Sequence, residues 1–331
     1  ETGYTGWTSE GPYFGMVMGS VVSDGRHIYA VTALDAAACF DLDGRRLWVT
    51  DLNGEHVHNY PASAPGIISN HMASPALAGD ELVYYHRDDA SMYALDKTTG
   101  KIAWRTACPL TDHESRNWRH RQNKLPRGYQ GHMGPGGTPV VMQLGQTMLA
   151  ISGNGLVVRV SDGRLLGQVK LPKGTMIKKE KALVEAEEDT YGASYGSWVA
   201  NGDVLFCVFH YGAYAVQLRL QEDVLGQTLL WRLDSDVDCR APNLVVYGGR
   251  LFAAVSKDKR RGIAAIDLAT GKVLTWGPTS GGHDTSLGFA AGVAVWPTGY
   301  TGDRTEWKSN PATTPGHNMT TYTVVSLPDL K

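Results

Sequence analysis

One segment type recurs along the chain, and it constrains the fold more than any other feature. Ser91-Met-Tyr-Ala-Leu-Asp-Lys-Thr-Thr-Gly-Lys-Ile-Ala-Trp104 has a partner in Gly262-Ile-Ala-Ala-Ile-Asp-Leu-Ala-Thr-Gly-Lys-Val-Leu-Thr-Trp276. Ala38-Cys-Phe-Asp-Leu-Asp-Gly-Arg-Arg-Leu-Trp48 is a shorter copy, and Tyr214-Ala-Val-Gln-Leu-Arg219 through Leu230-Trp231 a degenerate one. Each reads as a strand that ends near a polar residue, then a Gly turn, then a short strand that closes on Trp. Gly supplies the positive φ such a turn needs. Two further strands precede each copy, beginning near Gly19, Ser74, Thr138, Ser194, Ala241 and Ser286. That gives six starts, with four strands to a unit and periods of roughly 45 to 65 residues, as in propeller blades with loop insertions.

Composition agrees where it speaks. A chain of 331 residues could hold two or three ordinary domains or one large all-β unit, and the repeat selects the second, a single domain over 1–331. Its 39 Gly show no G-X-Y period, which excludes collagen. Lys and Arg (31) nearly balance Asp and Glu (33), so there is no whole-chain case for a nucleic-acid partner. No run of apolar residues is long enough to span a membrane as a helix. Cys39, Cys108, Cys207 and Cys239 form neither C-x-x-C nor an adjacent pair. They read chiefly as buried small hydrophobes, with a Cys108–Cys239 bridge left open.

The repeats resemble the PQQ-like repeat of the quinoprotein-dehydrogenase-like β-propellers. The resemblance runs over nearly the whole chain and is strongest at 74–104 and 241–276. It is similar to the repeat of PQQ dehydrogenases, of an outer-membrane-assembly scaffold lipoprotein and of other cell-envelope propellers. It implies an all-β propeller of four-stranded blades, six in number, or seven or eight if the chain is an excerpt. Thr2-Gly-Tyr-Thr-Gly-Trp7 matches the Gly-to-Trp spacing of Gly100 to Trp104. It is therefore expected to close the ring as the outer strand of the last blade. The resemblance also implies a periplasmic, cell-surface or secreted protein; a monomer is expected. It does not imply PQQ itself: the dehydrogenases have eight blades and a vicinal disulfide on the quinone, and this chain has no adjacent cysteines.

Propeller geometry converts sequence position into face. Turns between first and second strands, and between third and fourth, lie on one face and are short here. Long insertions at about 49–73, 105–137, 171–193 and 297–318 all fall on the other. The insertion at 173–189 is rich in Lys, Glu, Ala and Leu and reads as a short helix. Of 11 His, only His27 maps to the short-turn face. His71, His132 and His283 each sit just before a first strand, with Arg240 at the matching place of another blade. They are expected to converge at the channel mouth as ligand or metal residues.

Three chemistries can use such a face. The first is binding: His283 with Arg116, Trp118, Arg119, His120 and Tyr129 would grip an acidic glycan or a protein partner, Arg forking to carboxylates and Trp stacking. The second is a divalent or transition metal on His71, His132 and His283, serving redox chemistry. The third is proton transfer on an acidic polysaccharide, as in propeller lyases, with His132, His71, Tyr191 and Arg240 as the catalytic set. Fold does not decide among them; binding is the reading preferred, and whether the protein is an enzyme stays open.

Overall fold

The computed structural model describes residues 20–31, 36–52, 74–86, 91–107, 138–179, 182–185, 190–191, 198–209, 212–234, 244–257, 260–278, 288–290, 293–300 and 320–326. Every described element is a strand. The first sheet is β1 (Val22–Ser23), β2 (His27–Val31), β3 (Ala36–Asp41) and β4 (Arg46–Asp51). The second is β5 (Ala76–Ala78), β6 (Glu81–His86), β7 (Ser91–Asp96) and β8 (Ile102–Ala107). The third is β9 (Val140–Leu144), β10 (Thr147–Ile151), β11 (Leu156–Arg159) and β12 (Leu165–Gln168). Two small ladders follow, built from β13 (Lys170–Leu171), β14 (Met176–Lys179), β15 (Ala182–Glu185) and β16 (Thr190–Tyr191). The fourth sheet is β17 (Val199–Asn201), β18 (Val204–Phe209), β19 (Gly212–Gln221) and β20 (Val224–Asp234). The fifth is β21 (Val245–Tyr247), β22 (Arg250–Lys257), β23 (Arg260–Asp267) and β24 (Val273–Pro278). The last is β25 (Gly288–Ala290), β26 (Val293–Tyr300) and β27 (Thr320–Ser326).

Strand order within each of these six sheets follows the sequence, and every pair of printed register is antiparallel. This is the four-stranded up-and-down unit of a β-propeller. The last sheet has three described strands. The segment 2–7, expected to complete it, lies outside the described residues. The chain divides into two compact units. One holds residues 1–170, 191–195 and 219–226; the other holds 171–190, 196–218 and 227–331.

Burial explains the strand sequences. The second and third strands of the second sheet have a neighbouring sheet on both faces, so their apolar runs do not alternate. Leu82, Val83, Tyr84 and Tyr85 are buried in succession, as are Met92, Tyr93, Ala94 and Leu95. Leu82, Tyr84, Tyr93 and Leu95 pack with Tyr29, Val31 and Leu52 toward the first sheet. Val83, Tyr85, Met92 and Ala94 pack with Ala150, Leu156 and Val158 toward the third. In the second unit, Phe206, Ala213 and Ala215 pack with Leu251, Ala253 and Ala264. The fourth strands β4 and β8 alternate instead between exposed and half-buried positions, because they form the solvent-side rim of each sheet. Cys39 and Cys207 are buried free thiols, as expected, and burial pushes both above the ordinary range. Cys108 and Cys239 lie outside the described residues.

The expected helix at 173–189 is corrected. β14 and β15 pair antiparallel, Ile177 opposite Val184 and Lys179 opposite Ala182. The ends of the insertion are tied together first, by the ladder of β13 with β16. A tight turn follows β13, in which the Thr175 amide donates to Pro172 O at 3.1 Å and its hydroxyl to the same oxygen at 2.6 Å. Gly174, at φ +85°, provides the left-handed residue. The chain thus leaves β13 extended and has its return strand alongside it, and this pairing outweighs helix propensity.

Candidate functional site

Each sheet has two dissimilar ends. At the turn end, the connections between third and fourth strands have at most five residues, as at 97–101, 160–164 and 268–272. These turns are held by their own carboxylates. Asp96 Oδ1 accepts from the Thr98 amide at 3.0 Å, the Thr99 amide at 2.7 Å and the Thr99 hydroxyl at 2.9 Å. Asp267 Oδ1 repeats the set with Ala269 and Thr270 at 3.2, 2.8 and 2.7 Å. Asp41 takes the amides of Asp43 and Arg45 at 3.1 and 2.8 Å. Hydrogen bonds to the ionised form hold all three carboxyls below the usual range: chiefly the Thr99 amide for Asp96, the Thr270 hydroxyl for Asp267 and the Arg45 amide for Asp41. The Asp of the sequence repeat is therefore a turn anchor.

The Trp that ends the repeat binds the next sheet. Trp48 covers Gly100, donating from Nε1 to Lys97 O at 3.1 Å, while Thr50 donates to Gly100 O at 2.6 Å. Trp104 does the same over Gly163, with Nε1 donating to Val160 O at 2.6 Å and Thr106 to Gly163 O. Trp231 covers Gly271 and donates to Leu268 O at 2.8 Å. A Cβ added at Gly100 would lie 2.5 Å from Trp48 Cε3, and one at Gly271 2.6 Å from Trp231 Cδ2. The repeat's Gly thus serves two needs at once, left-handed φ (+71° at Gly100) and room for the indole of the preceding sheet.

His27 is on this same turn end, where its Nδ1 is 3.5 Å from Asp24 Oδ2. Tyr29 donates to Asp24 Oδ2 at 3.1 Å, and Asp24 also accepts from the Arg26 and His27 amides at 2.9 and 2.8 Å. These bonds, the Arg26 amide foremost, push the Asp24 carboxyl far below its ordinary value. Burial, reinforced by Asp24, pushes the Tyr29 phenol far above its own. Both stay fixed in charge at neutral pH, so the group is a structural bracket for the first turn.

The other end carries the long connections, and most expected site residues fall within those connections in the sequence. His71, Arg116, Trp118, Arg119, His120, Tyr129, His132, Arg240 and His283 lie outside the described residues. Tyr191 is placed, in β16 beside β13, and His86 closes β6 opposite Ser91. Among the described residues no group of three or more His, Cys, Asp or Glu is arranged to hold a metal ion. The turn end holds an ion cluster that the sequence reading missed. Arg159 donates to Asp162 from Nε at 2.9 Å and from Nη2 at 2.5 Å, and to Asp223 from Nη1 at 2.7 Å. Arg164 Nη1 donates to Asp223 Oδ2 at 2.6 Å. Arg159 holds Asp162 down to about 2. The signal was a hairpin turn, Glu222-Asp223, that lacks the Gly found at the other third-to-fourth turns.

Comparison with known proteins agrees with this architecture. A family model described as outer membrane protein assembly factor BamB matches residues 1–274. No curated protein sequence matches the chain. Among solved structures, BamB from Moraxella catarrhalis is similar at 14% identity and a TM-score of 0.44, covering 86% of this chain and 80% of that one. The computationally designed Ika8 protein is similar at 10% identity and 0.45, covering 86% and 68%. The quinohemoprotein alcohol dehydrogenase ADHIIG from Pseudomonas putida HK5 is similar at 10% identity and 0.39, covering 85% of this chain and 62% of that one.

Proposed function

Because the chain belongs to the family of outer membrane protein assembly factor BamB, we propose that it is a partner-binding β-propeller of the cell envelope, and that its partner is a protein. The long-connection end is its binding side. The observation that carries this reading is the contrast between the ends. Turns at one end are short and saturated by their own Asp carboxylates, as at Asp96 and Asp267. The connections at the other hold the long segments 53–73, 108–137 and 301–319. Binding residues concentrate on loops borne by a rigid scaffold. Arg116, Arg119 and Trp118 supply the pairing and stacking groups that an acidic protein surface would meet. His71, His132, His283 and Arg240, each just ahead of a first strand in the sequence, are assigned to the long-connection side of their own sheets, as are His120, Tyr129 and Tyr191. Fold similarity to a quinohemoprotein adds nothing toward redox chemistry, and the lyase and metal readings have no separate observation in their favour.

The experiment is a loss-of-function comparison in the native host. Replacing Arg116, Trp118 and Arg119 together by Ala should reduce outer-membrane protein levels as deletion of the whole chain does. Replacing Asp43, Arg45 and Lys101 on the turn end should leave those levels unchanged. Equal effects of the two triple variants would reject the assigned side. No effect of whole-chain deletion would reject the role.

A further inference from the structure

The third sheet lacks the residue that binds its counterparts together. In the second sheet the indole stands four residues after the turn Gly, at Trp104 after Gly100; the same step from Gly163 reaches Gly167. A Cβ at Gly167 would lie 3.2 Å from Leu225 Cδ2, so the leucine side chain packs against a site kept bare. Leu225 belongs to residues 219–226, the tip of the β19–β20 hairpin, which is part of the first unit with the third sheet. Beside it Asp223 receives Arg159 and Arg164 at 2.7 and 2.6 Å. Ion pairs and one leucine thus occupy the place of an indole clasp.

The backbone sets the tip apart from the other third-to-fourth turns. Glu222 (φ 49°) and Asp223 (φ 65°) are the non-Gly residues of positive φ among those described. Gly44, Gly100, Gly163 and Gly271 fill the left-handed place in the other third-to-fourth turns. For Glu222 this conformation costs about 1 kcal/mol, whereas Asp, like Asn, tolerates it. Asp at this place makes sense through what its carboxylate reaches. The cluster is also balanced, with Arg159 and Arg164 against Asp162 and Asp223, so it closes on itself rather than offering a charged site to a ligand.

We propose that the β19–β20 tip is an ionic latch on the third sheet, opened by ionic strength, whereas the indole clasps are not. Asp223 is about a quarter exposed and Arg164 more than half, so salt reaches the pairs; the indole joins are apolar contacts with neutral hydrogen bonds. The inference does not depend on the proposed function.

Hydrogen exchange at each amide of the intact chain tests it, in about 20 mM and about 1 M NaCl. Amides at 221–226 should exchange on the order of fivefold to tenfold faster in high salt. Amides at 97–101 and 268–272, under Trp48 and Trp231, should change less than twofold. Asp223→Asn should raise exchange of the tip in low salt to the level salt produces and abolish the further response. Tip protection unaffected by salt in the unaltered chain would overturn the proposal, as would an equal response at all three turns or a full salt response in the variant.

Discussion

Trp231 and Asp223 stand on the same strand pair and perform similar work by different physics. Trp231 is buried over Gly271, its indole held by packing and by one neutral hydrogen bond. Asp223 holds the third sheet through two guanidinium groups at a half-wet surface. Apolar joins draw strength from area removed from water and are not weakened by charge screening. Ionic joins are weak when exposed and weaken further as counterions accumulate. A repeated fold can therefore carry joins of different durability while every sheet keeps one topology.

The largest break in that comparison should come from removing an indole. Trp231→Ala is expected to cost about 3–5 kcal/mol, read as a loss in denaturant midpoint of the same size at low and high salt. Gly100→Ala should follow at about 2–3 kcal/mol, from the left-handed φ and the close approach to Trp48. Thermal unfolding of the variant checks it. Asp223→Asn should cost on the order of 1 kcal/mol in low salt and close to nothing at about 1 M NaCl, a difference that the indole variant must not show. Glu222→Gly should stabilise by about 0.5–1 kcal/mol, because it relieves φ without touching the two arginines. Acid is the gentlest probe for any single turn. Asp41, Asp96, Asp162 and Asp267 all have lowered folded-state carboxyls. Their contribution is full above the unfolded value near 4 and fades as pH falls toward about 2, where Asp162 titrates. An acid titration followed by tryptophan fluorescence should show no loss between pH 8 and 5.

Much of the fold was legible because the repeat encodes it twice. The spacing from Asp96 to Gly100 to Trp104 marks the turn anchor, the left-handed residue and the indole that needs the equivalent glycine of the next sheet, Gly163, bare. Even the degenerate copy ending at Trp231 was read as a strand pair, which β19 and β20 confirm. The insertion after Leu171 was misread. Its Lys, Glu and Ala content favours a helix locally, whereas pairing between its two ends is decided by partners distant in sequence. The ionic latch was illegible for a related reason: Arg159 and Asp223 are 64 positions apart, and a lone Arg or Asp on a turn has no partner written beside it. The expected binding residues rest on register alone. His71, His132 and His283 share a position relative to their strands in the sequence, and sequence position gives a side of the sheet without giving a distance.

Site-specific photocrosslinking in the native host tests the central claim most directly. A photoreactive residue placed at Trp118 or His132 on the connection end should trap a protein of the outer-membrane assembly machinery, while one at Arg26 or Thr98 on the turn end should trap none. Capture of that protein from the turn end, with none from Trp118 or His132, would contradict the account.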